Sequence, residues 1–210
     1  MDSRQRMIEI HLKQRGITDK RVLEAFGTVP REEFVPADRR DSAYADHPLP
    51  IGRGQTISQP YIVALTVQAL EITDTDTVLE LGTGSGYAAA IIGKLAHRVI
   101  TVERIPELAE RARGILEKLG YRTIEVHTAD GTLGFPDEAP YNAIAAAAAA
   151  PNVPPELIKQ LASNGRIVIP VGPEGYQELL LIHTDDHGDI IEQRNICDCS
   201  FVPLIGKDGY

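Results

Sequence analysis

Val78-Leu79-Glu80-Leu81-Gly82-Thr83-Gly84-Ser85-Gly86-Tyr87 is the stretch that decides the fold. Thr77–Leu81 reads as a short buried strand, and Gly86–Ala96, rich in Ala and Ile, as the helix that follows it. The glycines between them let the backbone turn sharply and let a ligand approach it closely. A tight strand-to-helix turn with no ligand is the plainer reading of the glycines alone. It does not account for the acids. Glu80 sits just before the first glycine, Glu103 ends the next strand, and Asp130 follows the third. In an open parallel sheet those positions share the carboxyl edge, where ligands bind. Tyr87 stands where a dinucleotide-binding fingerprint places its third glycine, which turns the reading away from NAD.

Outward from this loop, strand and helix alternate. Val99–Val102, Thr123–His127, Ile144–Ala149 and Arg166–Val171 are expected as strands, and Pro106–Leu119 and Glu156–Ala162 as helices. Such alternation implies right-handed crossovers and an α/β fold: a Rossmann-like, mostly parallel sheet flanked by helices. Glu178–Thr184 and Ile190–Cys197 read as a C-terminal antiparallel hairpin around Asp185-Asp186-His187-Gly188-Asp189. Residues 1–70 read as an N-terminal helical and loop extension. Asp2 or Ser3 can cap a helix that carries Met7, Ile8, His11 and Leu12 and ends at Gly16, and a second helix carries Val22, Leu23 and Phe26. Pro36 to Gln59 reads as a long ordered loop, a length that points to function inside a compact domain. Pro60 suits the first turn of a helix running to about Leu70. One domain over 1–210 is expected, with the sheet core and tail in 71–210.

Composition narrows the classes. With 43% apolar and 24% charged residues the chain can bury a core. Its net charge of −9 repels phosphate backbones, which argues against a nucleic-acid partner. The longest apolar run, Ala143 to Ala150, is too short to span a bilayer, and no signal core follows Met1, so a soluble, cytoplasmic monomer is expected, with no membrane association. Cys197 and Cys199 are too close for an easy bridge and lack a second ligand pair for zinc; two thiols in a reducing compartment are expected. The six histidines show no metal-ligand spacing, so no metal is expected.

The glycine loop and its acids together resemble the class I S-adenosylmethionine-dependent methyltransferases. The resemblance implies S-adenosyl-L-methionine as cofactor and S-adenosyl-L-homocysteine as product. It also implies that Gly82, Gly84 and Gly86 pack on the methionine portion, that Glu103 holds the ribose hydroxyls, and that Asp130 reaches the adenine. Glu80, Thr83, Ser85 and Gly131 complete the implied cofactor set.

Two further segments are similar to protein-L-isoaspartate O-methyltransferases. They are Gly54-Gln55-Thr56-Ile57-Ser58-Gln59-Pro60-Tyr61-Ile62-Val63-Ala64 and Phe201-Val202-Pro203-Leu204-Ile205-Gly206. Arg31-Glu32-Glu33-Phe34-Val35-Pro36, Tyr44-Ala45-Asp46 and Pro48-Leu49-Pro50-Ile51-Gly52 extend the similarity over most of the chain. This resemblance implies methyl transfer to the free carboxylate of L-isoaspartyl residues in damaged proteins. Thr56, Ile57 and Ser58 would line the catalytic pocket, and the backbone of Val202, Pro203 and Leu204, with Gln59, would receive the substrate. Read from the residues alone, Ser58 could equally cap the helix that begins at Pro60, and Phe201–Ile205 could be an apolar terminal strand. The chain departs from the family pattern at Ala129, at Asn142 and in the alanine run Ala145–Ala150, where a β-branched run is usual. The altered strand and Asn142 keep open a binding or adaptor protein on the same fold; another methyltransferase, acting on a small molecule or RNA, is the second rival, and the acidic charge and the Gly54–Ala64 string count against it.

Overall fold

In the computed structural model, which describes residues 2–210, the N-terminal segment is helical but irregular. Asp2 accepts a hydrogen bond from the Gln5 N–H at 2.7 Å and caps α1 (Ser3–Arg6). The coil then widens into a π-helical turn over Met7–Leu12 and tightens over Lys13–Arg15, until Gly16 ends it at φ 93°. One regular helix was expected here. The wider turn instead brings Met7 and Leu12, five residues apart, towards one face, and both are buried. Asp19 caps α2 (Lys20–Thr28), which buries Val22 and Phe26.

The segment expected as a long loop contains a hairpin, β1 (Leu49–Gly52) with β2 (Gln55–Ile57). Its two turn residues, Arg53 and Gly54, sit at φ 55° and 70°, the pair of positive values that a two-residue hairpin turn requires. The density of Pro and Gly hides strands this short. α3 (Pro60–Ala69) follows, as expected.

The sheet is then built from β3 (Thr77–Leu81), α4 (Tyr87–Ile92), β4 (Arg98–Glu103), α5 (Pro106–Lys118), β5 (Ile124–Thr128), β6 (Tyr141–Ala146), α6 (Pro155–Lys159), β7 (Leu161–Val171), β8 (Gln177–Thr184) and β9 (Ile190–Cys199). The strand order is β5-β4-β3-β6-β7-β8-β9; the first five run parallel and the last two antiparallel. Side chains alternate across the pleat. Val78, Val99 and Ala143 pack with the N-terminal helices, α3 and α4, while Leu79, Leu81, Ile100 and Ile144 form the core of the opposite face. No helix among the described residues is long and apolar enough to cross a membrane.

Three expectations are corrected. β6 begins at Tyr141 and ends at Ala146, so Ala147–Ala149 lie beyond it. α6 ends at Lys159 and β7 already starts at Leu161, where the helix was expected to continue. The register jumps from Tyr141↔Leu161 to Ala143↔Arg166, and the surplus residues bulge. Asn164 is at φ 57°, and a Cβ on Gly165 would lie 2.8 Å from the Ala162 carbonyl oxygen. Phe201–Ile205 is not a strand: Pro203 pairs with Ala149 as a single bridge, through Leu204 N–H to Ala149 O at 2.7 Å and Ala149 N–H to Val202 O at 2.9 Å. That inner edge of the tail backbone is therefore occupied by the chain itself.

Candidate active site

β3 delivers the glycine loop to the carboxyl edge of the sheet. Gly82 and Gly86 sit at φ 89° and 87°, a region costly for any residue with a Cβ. A Cβ on Gly86 would also press on Ala112 and Leu116 of α5 at 3.3–3.4 Å. The loop is pinned by Gly82 N–H to Val102 O at 2.8 Å and by Gly86 N–H to Thr83 O at 2.8 Å. Glu103, at the end of β4, accepts from the Gly84 N–H through Oε2 and from the Ile105 N–H through Oε1, both at 2.9 Å. Each carboxylate oxygen keeps a second lone pair, which is what a diol needs. Glu80 is almost fully buried. Its Oε2 accepts from the Thr101 hydroxyl, which also meets the Thr83 hydroxyl at 2.6 Å, while Oε1 has no protein partner. Burial, with the charge of Glu103 nearby, pushes the Glu80 carboxyl up to about 8, against the pull of the Thr101 hydrogen bond.

The opposite wall comes from the end of β2 and the turn into α3. Gln59 is the N-cap residue of α3 and gives it no side-chain bond. Asp46 caps instead: its Oδ1 accepts from the Tyr61 N–H at 3.2 Å, and its Oδ2 accepts from Gln59 Nε2 at 2.8 Å. Ser58 is thereby released from the capping role. Its carbonyl accepts from Arg31 Nη2 at 2.7 Å, and among the described residues its hydroxyl has no protein partner.

The two walls border a cavity of about 1090 Å³, counting its open mouth. Of the residues expected to bind cofactor or substrate, Thr56, Ile57, Ser58, Glu80, Gly82, Thr83, Gly84, Ser85, Glu103, Gly131, Val202, Pro203 and Leu204 line it. Gln59 lines an adjoining cleft, which shares Thr56, Ser58, Ile62, Ala147, Phe201 and Val202 with the first cavity. Gly86 lies behind the wall, as the left-handed residue that starts α4. Asp130 is not in the lining. Its Oδ1 accepts from the Thr132 N–H and hydroxyl and its Oδ2 from the Lys207 N–H at 2.9 Å. Burial raises its pKa, but these hydrogen bonds outweigh burial and hold the carboxyl below the usual range. The C-terminal tail thus bonds the carboxylate that was expected to reach the adenine. Arg104, Ile105 and Ala147 line the cavity without having been singled out; each follows a strand end, the position that the glycine loop had already marked.

Comparison with known proteins agrees with this arrangement. Residues 2–209 match the family model described as protein-L-isoaspartate(D-aspartate) O-methyltransferase. The chain is 53% identical over 209 residues to protein-L-isoaspartate O-methyltransferase 2 of Marinobacter nauticus, covering 100% of this chain and 95% of the relative. It is 54% identical over 207 residues to the protein-L-isoaspartate O-methyltransferase of Koribacter versatilis, covering 99% and 92%. Among solved structures, a protein-L-isoaspartate O-methyltransferase superposes with a TM-score of 0.87 at 28% identity, over 98% of this chain and 67% of that one. A Plasmodium falciparum structure described as the same enzyme, in complex with S-adenosyl-L-homocysteine, superposes with a TM-score of 0.82 at 26% identity, over 98% and 99% of the two chains. With the cofactor loop, the Thr56–Ser58 wall and the tail all meeting at one cavity, the chain belongs to the protein-L-isoaspartate O-methyltransferase family of S-adenosylmethionine-dependent enzymes.

Proposed function

We propose that the two walls of the cavity divide the labour of the family's reaction, methyl transfer from S-adenosylmethionine to the free carboxylate of an L-isoaspartyl residue. One observation carries the assignment: the unbonded Ser58 hydroxyl lines the same cavity as the glycine loop and Glu103. The fit to the cofactor rests on the loop glycines, the free lone pairs of Glu103 and the unpartnered Glu80 Oε1. Glu103 would hold the ribose diol, and the Gly82–Ser85 backbone the methionine end. When bound, the cofactor supplies a methyl on a sulfonium sulfur that departs as a neutral thioether. An isoaspartyl α-carboxyl ionises at roughly 3.5, so no protein base is needed to create the nucleophile. Ser58 donates a hydrogen bond to that carboxylate and orients it, while Thr56 and Ile57 close the wall against water. The methyl ester then cyclises when the next backbone nitrogen attacks its carbonyl and expels methanol. The succinimide opens partly to normal aspartate.

The substrate chain would enter along the adjoining cleft past Gln59 and Val202. The whole chain would act as one domain and as a monomer, on damaged proteins and peptides and not on nucleic acid. A cytoplasmic setting is part of the same reading. The test is labelled-methyl transfer to an isoaspartyl peptide and to its aspartyl twin. Transfer to the isoaspartyl peptide alone is expected. Ser58→Ala is expected to lower kcat/KM about tenfold with S-adenosylhomocysteine affinity intact. Equal transfer to the two peptides contradicts the substrate reading, and native rates in Ser58→Ala contradict the role of the hydroxyl.

A further inference from the structure

Arg31 lies outside the cavity lining and is fully buried. Burial of a cation is costly unless it is well satisfied. Among the described residues, Arg31 has no carboxylate among its hydrogen-bond partners. Its Nε donates to Ala43 O and its Nη2 to Ser58 O, each at 2.7 Å. The guanidinium carbon lies 4.6 Å from the centroid of the Tyr87 ring, and Nη1 has no partner. An apolar side chain of similar length fills the same space without the desolvation cost. It cannot hold two carbonyls in a fixed fork while lying on an aromatic face.

The three groups that Arg31 joins come from three parts of the site. Ala43 precedes the β1–β2 hairpin, Ser58 follows it, and Tyr87 is the first residue of α4, directly after the glycine loop. Tyr87 and Ser58 both line the cavity. The turn at Ser58–Gln59 is also held from its far side by Asp46. The Ser58 peptide is thus fixed between two anchors, and only the Arg31 anchor also reaches the wall that carries the cofactor loop.

We propose that Arg31 is a positioning residue for the methyl transfer: by gripping the Ser58 carbonyl against Tyr87 it sets the direction of the Ser58 hydroxyl relative to the cofactor wall. This rests on the assignment of Ser58 as the group that orients the substrate carboxylate. Misplacing the hydroxyl forfeits at most what its removal costs, about tenfold in kcat/KM. Arg31→Lys keeps the charge but has one nitrogen, so it reaches one carbonyl at a time. Arg31→Met keeps the length and removes both bonds.

The experiment measures three quantities for each variant: kcat/KM with an isoaspartyl peptide, S-adenosylhomocysteine affinity by calorimetry, and kcat/KM again in a Ser58→Ala background. Arg31→Lys is expected to fold and carries the test if Arg31→Met does not. Expected is a kcat/KM loss of about three- to tenfold, no larger than that of Ser58→Ala, cofactor-product affinity within about threefold of native, and less than about twofold further loss when Ser58 is already alanine. Native kcat/KM in a folded variant overturns the proposal. So does a parallel fall in S-adenosylhomocysteine affinity, which marks a purely structural role, or a loss repeated in full on top of Ser58→Ala. Failure of the underlying Ser58 assignment shows separately, as a Ser58→Ala single variant with native kinetics.

Discussion

The two walls of the cavity each bury an ionisable side chain that no opposite charge satisfies, and they resolve the difficulty in different ways. On the cofactor wall Glu80 is bonded through Oε2 by the Thr101 hydroxyl, and its Oε1 meets no hydrogen-bond partner among the described residues. A carboxyl can escape the cost of burial by keeping its proton, and Glu80 does so up to about pH 8. On the substrate wall Arg31 has no such exit, because a guanidinium does not deprotonate in proteins. Burial lowers its pKa, yet it remains charged and must be satisfied by carbonyls and an aromatic face. One wall therefore carries a group that pH can switch, and the other a fixed geometric anchor.

The largest expected effect tests the first half of that contrast. In the unfolded chain Glu80 ionises near 4.5; in the folded protein it holds its proton to about 8. The stability it contributes is complete below about pH 4.5 and is lost as pH rises towards 8. Glu80→Gln mimics the protonated form at every pH. Urea unfolding of both proteins at pH 5 and pH 8.5 is expected to show the variant gaining on the native protein by a few kcal/mol at the higher pH. A stability difference that does not change between the two pH values breaks the contrast.

Next in size is Glu103, the acid on the same wall whose two carboxylate oxygens each accept from a backbone N–H. Glu103→Ala is expected to weaken S-adenosylhomocysteine binding by about 2 kcal/mol, the scale of a pair of charge-assisted hydrogen bonds. Calorimetry on folded protein reads this directly, and unchanged affinity removes the ribose assignment.

The walls also differ in how much of them could be read from sequence. The cofactor wall is one continuous strand, loop and helix, so Gly82, Gly84, Glu80 and Glu103 follow from local pattern and strand-end position. Asp130 follows from the same strand-end position, but its bond from the Lys207 N–H comes from 77 residues away, and no local signal reports a partner at that distance. The substrate wall is assembled wholly by such contacts. Arg31 reaches Ser58 across 27 residues, and Asp46 caps α3 from 15 residues upstream of Tyr61. The pattern around Ser58 therefore left the helix cap and the site residue undecided, and only the resemblance to a family pointed to the latter. The alternation of strand and helix was legible for the same reason as the glycine loop. The bulge in β7 was not, since it rests on the pairing of Leu161 with Tyr141.

Beside β3 runs β6, which carries Ala145 and Ala146. Both are nearly fully buried, and both border the cavity, which gives added methyl groups room. Ala145→Val is expected to raise stability by about 1 kcal/mol through the added apolar burial. A lower melting temperature in the variant indicates overpacking and sets β6 among the closely packed parts of the molecule.

The smallest expected effect concerns histidine, and it tests whether either wall supplies a base. The nucleophile ionises far below neutrality and the leaving thioether needs no proton, so neither end of the reaction calls for a group titrating near neutral pH. The lining agrees: no histidine borders the cavity or the adjoining cleft. His47, two residues before the hairpin, comes nearest in sequence to the Thr56–Ser58 wall; its ring Nδ1 meets Pro48 O at 2.9 Å in an exposed position. His47→Ala is expected to change single-turnover methylation by less than about twofold, and the chemical step to be nearly flat from about pH 6 to 7.5, below the range where Glu80 ionises. A catalytic base contributes about 10²–10⁴-fold, so its loss is unmistakable against that background. Saturating cofactor separates the chemical step from any change in binding. A rate limb near pH 6.5 that vanishes in His47→Ala, with a fall above about 100-fold, shows that a proton is moved after all and that the substrate wall does more than orient.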